Sequence, residues 1–522
     1  MLKPLIFLFL IINCQFFHAQ IKDSLIKKTD LKFNNTEEKE AFSKSNISNT
    51  DNIIFLLLSS YQKDGAYSHS KTQQQIDECV KTLKQEINSK SEAKKVKYVY
   101  EYVHQHFLKV YKLQNSFADI FTKGEYNCVS ASALYAIIFT KLEIPYNIIE
   151  APKHVYLITY PQSFKILIET TSPEKGYFQF SDNFVNQYVK NLYSSKLISK
   201  TEYESNTSND LFNKYYFDSK GLSLIELVSV QYSNYAIYHL EEKQYDEALN
   251  EIKKAYYLNQ SDRHQYILKS TLIHQLQNNK YDTKSQVEEF AIICRFNTEN
   301  DEDVSNENLK NEFSRLTESQ LINQSNYNLY DESYRTIIKE ISDTSLKKDI
   351  SFTYHYELSR LGYMNDKDTA YEFPHLRAAY RINSKNANLQ SIILSYAERL
   401  IKTSDDPKKI IQLLNVTSGN FDFMNDNNGF NGVKANCILE LSYQSFAIND
   451  LTKGNQYLKE FEKLMTEKKE TRANENFIEK AYAFAAGIYY KKGNISKARQ
   501  TLKNGLNYAP DNFGLKLRLS QL

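Results

Sequence analysis

Residues 92–111, EAKKVKYVYEYVHQHFLKVY, set Val96, Val99, Tyr100, Val103, Phe107, Val110 and Tyr111 three and four positions apart. That spacing predicts one amphipathic helix with a wide apolar face. A second helix is expected from Cys128 onward, where ASALYAIIF runs apolar and almost unbroken. After it the period changes. LEIPYNIIEAP, HVYLITY and FKILIETT are short, apolar and β-branched, and they predict three strands. The last two form a hairpin through Tyr160, Pro161, Gln162 and Ser163, with Pro161 in the second turn position. From about 73 to 185 the order is therefore helix, helix, strand, strand, strand. This is an α+β domain of helices packed on a small antiparallel sheet, placed at 73–200.

Downstream the strand signal fades and helical periods repeat. KQYDEALNEIKKAYYLNQ carries Tyr245, Ala248, Ile252 and Ala255 at regular spacing. KKGNISKARQTLKNGLNYAPDN repeats that grammar with Gly493, Ile495, Ala498, Leu502, Gly505 and Pro510. Upstream in the same frame, Tyr232, Tyr235 and Ala236 answer to Tyr482, Ala485 and Ala486. Weaker copies sit in LRAAYRINSKN and LTKGNQYLKEFEKL. Small residues let two helices approach, large ones fill the groove, and each hairpin buries its remaining face on the next. The grammar resembles tetratricopeptide repeats and implies an all-α helical-hairpin array over 221–522. An ordinary helical bundle is the competing reading. Residues 281–345, rich in acids and amides, fit the repeat poorly and read as a divergent hairpin or long loop. Residues 21–72 open with a polar stretch of little periodicity and read as a loosely ordered lead-in.

Composition adds limits rather than a partner. Lys and Arg number 65 against 63 Asp and Glu, so a net charge of +2 offers no field for nucleic acid or anionic lipid. With 13 Gly and 8 Pro the chain is poor in breakers, which favours long helices over a many-turned β fold. The opening MLKPLIFLFLIINCQFFHAQ has a Lys near the start, an apolar run over Leu5–Ile12 and a small residue at Ala19. It reads as a signal peptide over 1–20, too short to span a membrane, and implies export with no span in the mature chain. Lipidation at Cys14 is disfavoured by the Ile-Ile-Asn before it. The remaining Cys79, Cys128, Cys294 and Cys437 are far apart and show neither a disulfide framework nor zinc spacing. With the histidines scattered as well, no metal or organic cofactor is implied.

One constellation could carry chemistry. In GEYNCVSASALYAIIF, Asn127 is a candidate N-cap and places Cys128 in the first helical turn. There the helix dipole and unpaired N–H groups favour a thiolate. Of the ten histidines, only His154 begins a strand shortly after that helix, and Glu169 closes the next strand. If the hairpin turns at Pro161 as expected, His154 falls directly opposite Glu169, with facing Cβ atoms about 5 Å apart. A slip of one residue would bring Thr170 there and turn Glu169 to the other face. Read alone, Cys128 is more simply an inert core thiol, and Ser130 and Ser132 satisfy backbone.

The stretch GEYNCVSASALYAIIFTKLEIPYNIIEAPKHVYLITY, followed by ILIETTSP, resembles the core of the transglutaminase-like thiol superfamily. By that resemblance Cys128 matches the nucleophile, Ile144 and Pro145 the start of the next strand, His154 the base and Glu169 the orienting acid. The match covers about a fifth of the chain. It departs from the family in having Glu for the usual Asp, no Trp, and Gly124 four residues before the cysteine. Tyr126 is the ring nearest the thiol. The resemblance implies attack on an amide or peptide carbonyl through a thioester, with the array binding a protein or peptide. The alternative is a protein-binding scaffold whose small domain is inactive.

Overall fold

The computed structural model describes residues 24–44, 46–60, 69–151, 154–216, 221–297, 301–364 and 369–522. The leader expected over 1–20 lies outside the described residues. The fold is mostly helical with small sheets, and it divides into two compact units that meet in sequence at Phe296 and Asn297.

The first unit runs α1 (Thr36–Ser43), α2 (Thr50–Ser59), α3 (His69–Ile87), α4 (Glu92–His106), β1 (Val110–Tyr111), α5 (Asp119–Thr122), β2 (Glu125–Tyr126) and α6 (Cys128–Lys141). Four strands follow, β3 (Tyr146–Ala151), β4 (His154–Thr159), β5 (Ile166–Ile168) and β6 (Tyr177–Gln179), hydrogen-bonded in that order and antiparallel throughout. Helices α7 (Asp182–Ser194), α8 (Lys200–Ser205) and α9 (Ser208–Tyr216) lead to α10 (Leu224–Glu241), α11 (Tyr245–Leu258), α12 (Asp262–Asn278) and α13 (Lys284–Ile293).

Helix α6 is the centre of this unit. Nine apolar side chains between Val129 and Phe139 are at most 3% exposed. A helix apolar on every side must be covered on every side, and α6 packs against β3, β4, α3 and α10. Its C-terminus closes when Glu143 takes a left-handed φ of 59° and the Ile144 N–H reaches the Phe139 carbonyl. Pro145 then cannot continue the helix.

Three expectations change here. The helix over 92–111 stops at His106, and Val110 and Tyr111 instead pair in parallel with Glu125 and Tyr126. Their apolar spacing fits either structure, and a two-residue strand is too short to display its own period. The polar lead-in is helical and docked, with Phe42, Ile53, Leu56 and Leu58 at 2% exposure or less. Its polar character is partly buried too. Glu38 is inaccessible, bonded at 2.9 Å to the equally buried Lys254, which also holds Glu251 at 2.9 Å. Tyr232 Oη donates to Glu38 at 2.8 Å. These bonds lace α1 onto α10 and α11, so the first helices of the expected array belong to the same compact unit as the sheet.

The second unit contains α14 (Asn306–Thr317), α15 (Tyr327–Glu340), α16 (Thr344–Met364), α17 (Thr369–Ile382), α18 (Ala387–Ile401), α19 (Pro407–Asn420), α20 (Asn428–Ala447), α21 (Leu451–Glu467), α22 (Glu475–Lys491), α23 (Ile495–Tyr508) and α24 (Phe513–Ser520). The described residues of 281–345, read as a divergent hairpin or long loop, are mostly helical, with Phe290 in α13, Phe313 in α14 and Tyr330 in α15 buried.

The repeat grammar has a backbone counterpart. The α10–α11, α20–α21 and α22–α23 hairpins all turn through a left-handed residue: Lys243, Asn449 and Gly493. The following N–H then reaches five residues back, Gln244 to His239 at 2.8 Å, Asp450 to Ser445 at 2.9 Å and Asn494 to Tyr489 at 2.9 Å. This is a Schellman-type closure repeated at each hairpin. The weaker copies fall on α17 and α21, each the second helix of a hairpin.

Candidate active site

Cys128 opens α6 behind a complete cap. Asn127 Oδ1 accepts the Val129 and Ser130 N–H groups, each at 2.9 Å, while Ser130 Oγ accepts the Asn127 N–H at 3.0 Å. The cap fixes the helix start with Cys128 in its first turn, as the sequence suggested, and the Val129 and Ser130 N–H groups are themselves taken up by Asn127. The sulfur is half-buried, and it also receives the backbone N–H of Val155, the residue after His154. That contact puts the thiol against the start of β4. Burial raises the thiol pKa and the nearby Glu169 charge raises it further, whereas the Val155 and Val129 N–H groups lower it; the net direction is up. The thiol therefore needs a base.

His154 Nε2 lies 2.6 Å from Glu169 Oε2, with the two side chains 33% and 27% exposed. An ionised carboxylate only accepts, so Nε2 carries the shared proton and Nδ1 is left as the basic nitrogen. The other carboxylate oxygen is fixed by Thr171, whose N–H and Oγ1 reach Glu169 Oε1 at 3.0 and 2.6 Å. Thr171 was missed from sequence, although a threonine two residues beyond an acid is a known local capping pattern.

The register differs from the expected one. The turn at Tyr160–Ser163 does form, with Ser163 N–H on the Tyr160 carbonyl at 3.0 Å. Phe164 and Lys165 then extend the loop, Lys165 with a left-handed φ of 38°, and Thr159 pairs with Ile166 instead of Phe164. Ladder pairing stops at Leu157 and Ile168. Continued in that register, Glu169 would face Tyr156, diagonal to His154. A slip of two residues preserves the face, because strand side chains alternate with period two. The acid and base still meet, across the diagonal.

Beyond Glu169 the chain doubles back tightly. Gly176 accepts the Glu169 N–H at 2.7 Å, and a Cβ there would lie 2.1 Å from the Glu169 carbonyl and 2.3 Å from Tyr100 Oη. Tyr100 Oη donates to the Ser172 carbonyl from α4. The acid is thus set by α4 as well as by the sheet.

The other candidates are placed as follows. Ser130 and Ser132 are fully buried, Ser132 Oγ bonding the Val155 carbonyl at 3.3 Å, so both serve structure. Tyr126 is 3% exposed, its ring edge-on to His104 and Tyr111. His104 is buried with neither ring nitrogen hydrogen-bonded, and burial holds its pKa down to about 4. Cys79, Cys294 and Cys437 are buried.

Two tyrosines not counted among the candidate site residues lie near the thiol. Tyr111 is 50% exposed and close enough to feel the charges of Cys128 and Glu169, and Tyr238 on α10 lies near Cys128. Among the described residues no group of three or more His, Cys, Asp or Glu side chains gathers as a metal site. No helix among them is long and apolar enough to cross a membrane. The chain matches no family model and no curated protein.

Proposed function

We propose that this chain is an exported, transglutaminase-like thiol enzyme joined to a tetratricopeptide-like array. The observation that carries the reading is the 2.6 Å His154–Glu169 bond beside a half-buried thiol at a capped helix start. Cys128 Sγ attacks an amide or peptide carbonyl carbon while His154 Nδ1 takes the thiol proton. The C–N bond then breaks, the proton passes to the leaving amine, and a thioester remains on Cys128. Water or a second amine attacks the thioester, gives its proton to His154 and returns the thiol. Glu169 keeps Nε2 protonated and supports the imidazolium.

The array would hold the protein or peptide that is modified. Within the second unit, a groove of about 440 Å³ bordered by Tyr443, Glu479, Lys480, Phe484, Lys491 and Arg518 offers apolar surface beside charges of both signs. A competing reading, an inactive docking module, is favoured by the burial that raises the thiol pKa.

Iodoacetamide labelling of the folded chain, read peptide by peptide, separates the two. The enzyme reading expects Cys128 to react faster at neutral pH than a free cysteine, and His154→Ala to abolish the excess. Labelling no faster than a free thiol, unchanged in His154→Ala, refutes it.

A further inference from the structure

A short strap of chain, residues 112–116, runs between β1 and α5 and is held from two sides. On one side is the start of α6. Asn127 Nδ2 donates to the Leu113 carbonyl at 3.0 Å, and Ser130 Oγ donates to Asn115 Oδ1 at 3.2 Å. On the other side is α10. Tyr238 Oη donates to the same Leu113 carbonyl at 2.9 Å, Gln231 Nε2 reaches the Asn115 carbonyl at 3.5 Å, and Gln114 Nε2 reaches Glu241 at 2.9 Å.

The Leu113 carbonyl is the hinge of this arrangement. An Asn side chain can present either its oxygen or its nitrogen to a helix start, and only the oxygen accepts N–H groups. The Leu113 carbonyl attracts Nδ2 and so turns Oδ1 toward the Val129 and Ser130 N–H groups. Tyr238, 8% exposed, fills the second lone pair of that carbonyl and fixes where it points. Burial holds the phenol well above its ordinary value, so it stays a donor at any physiological pH.

We propose that Tyr238 is a positioning residue for the Cys128 thiol, acting through the Leu113 carbonyl on the Asn127 cap. The consequence is that α10, the first helix of the expected array, is part of the reactive centre. Reactivity of Cys128 would then be open to change through the helices that pack on α10. The importance of this for turnover rests on the function proposed above, but the geometry and its test concern the thiol alone.

The test is the pH profile of Cys128 alkylation by iodoacetamide in the full chain. Tyr238→Phe removes only the hydroxyl, and a hydrogen bond of this kind is worth a few-fold in an equilibrium. The expected result is alkylation about 3- to 5-fold slower at pH 7, with the profile shifted to higher pH and the high-pH plateau unchanged. Tyr232→Phe, on the same helix, loses a more deeply buried bond, to Glu38, and should leave the profile where it was.

Asn127→Ser keeps a helix cap but breaks the strap from the other end, and it carries the same expectation if Tyr238→Phe proves too unstable to assay. In the Asn127→Ser background, Tyr238→Phe should change nothing further, because the two act in series. A Tyr238→Phe profile that superimposes on wild type, an equal shift from Tyr232→Phe, or additive effects with Asn127→Ser would each overturn the proposal. A wild-type thiol no faster than free cysteine would instead count against the enzyme reading, while the comparison of profiles still decides the role of Tyr238.

Discussion

Lys254→Met gives the sharpest test of how the first unit holds together. Lys254 has no exposed side-chain surface, yet it lies 2.9 Å from both Glu38 and Glu251, which are 0% and 3% exposed. Two buried carboxyls thus share one ammonium, and Glu251 Oε2 has no hydrogen-bond partner. Methionine matches the stem of lysine but removes the one ammonium among the described residues that is bonded to these carboxyls. Breaking a buried ion pair by deleting one partner costs about 3–5 kcal/mol. Set against a typical domain stability of about 5–15 kcal/mol, that leaves the first unit close to unfolding. The sign of the pH dependence follows from Glu38, whose carboxyl is pushed up chiefly by burial and pulled back by Lys254. Below the unfolded carboxyl value, about 4.3, both states hold the proton and there is no penalty. Between that value and the raised folded one the unfolded chain releases a proton that the folded chain keeps, so stability falls as pH rises. Without Lys254 the window widens upward, and the loss should be smaller at pH 6 than at pH 8.5. The chain has two units, so the readout must belong to the first. Cys79, 4% exposed with its thiol pushed up to about 12, can serve when pulse-labelled with a methanethiosulfonate after equilibration in urea. A loss under about 1 kcal/mol at pH 7, or the same loss at both pH values, would refute the reasoning.

Glu169→Asp should behave nearly as Glu169→Ala in Cys128 alkylation at neutral pH, since the diagonal contact needs the extra methylene; wild-type rates from the aspartate would contradict the register. Gly176→Ala forces a Cβ to within 2.1 Å of the Glu169 carbonyl, so it should lower the melting temperature of the first unit and slow alkylation together. In the second unit, Gly454→Ala brings a methyl to 2.7 Å from the fully buried Phe446 ring, and a destabilisation of about 1–3 kcal/mol is expected in urea melts. A neutral result there would mean that α20 and α21 can separate without strain.

How much of this was legible in the sequence depends on which forces write themselves into local pattern. The Asn127 cap, the apolar α6 and the hairpins marked by Ala248, Ala255, Ala498 and Gly505 all follow from short-range chemistry, and they appear where periodicity puts them. Helices α1 and α2 were obscured because the lead-in is locked by Glu38, which is bonded to Lys254, 216 residues away, and reads as surface charge. The acid- and amide-rich stretch around 301–312 hid α14 for a related reason. Its few large apolar residues, Leu309, Phe313 and Leu316, are buried among acids and amides that are mostly exposed. The strap residues and Tyr238 carry no periodic signal at all, since their meaning lies in a carbonyl that two distant side chains share.

The acid–base pair shows how a wrong register can still give the right contact. Sequence spacing set His154 directly opposite Glu169, and the structure moves the pairing by two residues because Phe164 and Lys165 extend the turn. An odd slip would have separated the groups onto opposite faces; an even one only lengthens the reach between them. Directly opposed Cβ atoms lie about 5 Å apart and diagonal ones about 7 Å, so an aspartate suited to the first geometry falls short in the second. Glu169 therefore sits where the longer loop calls for a longer side chain. The longer loop and the longer side chain act together: across the diagonal, the glutamate still closes on His154 at 2.6 Å.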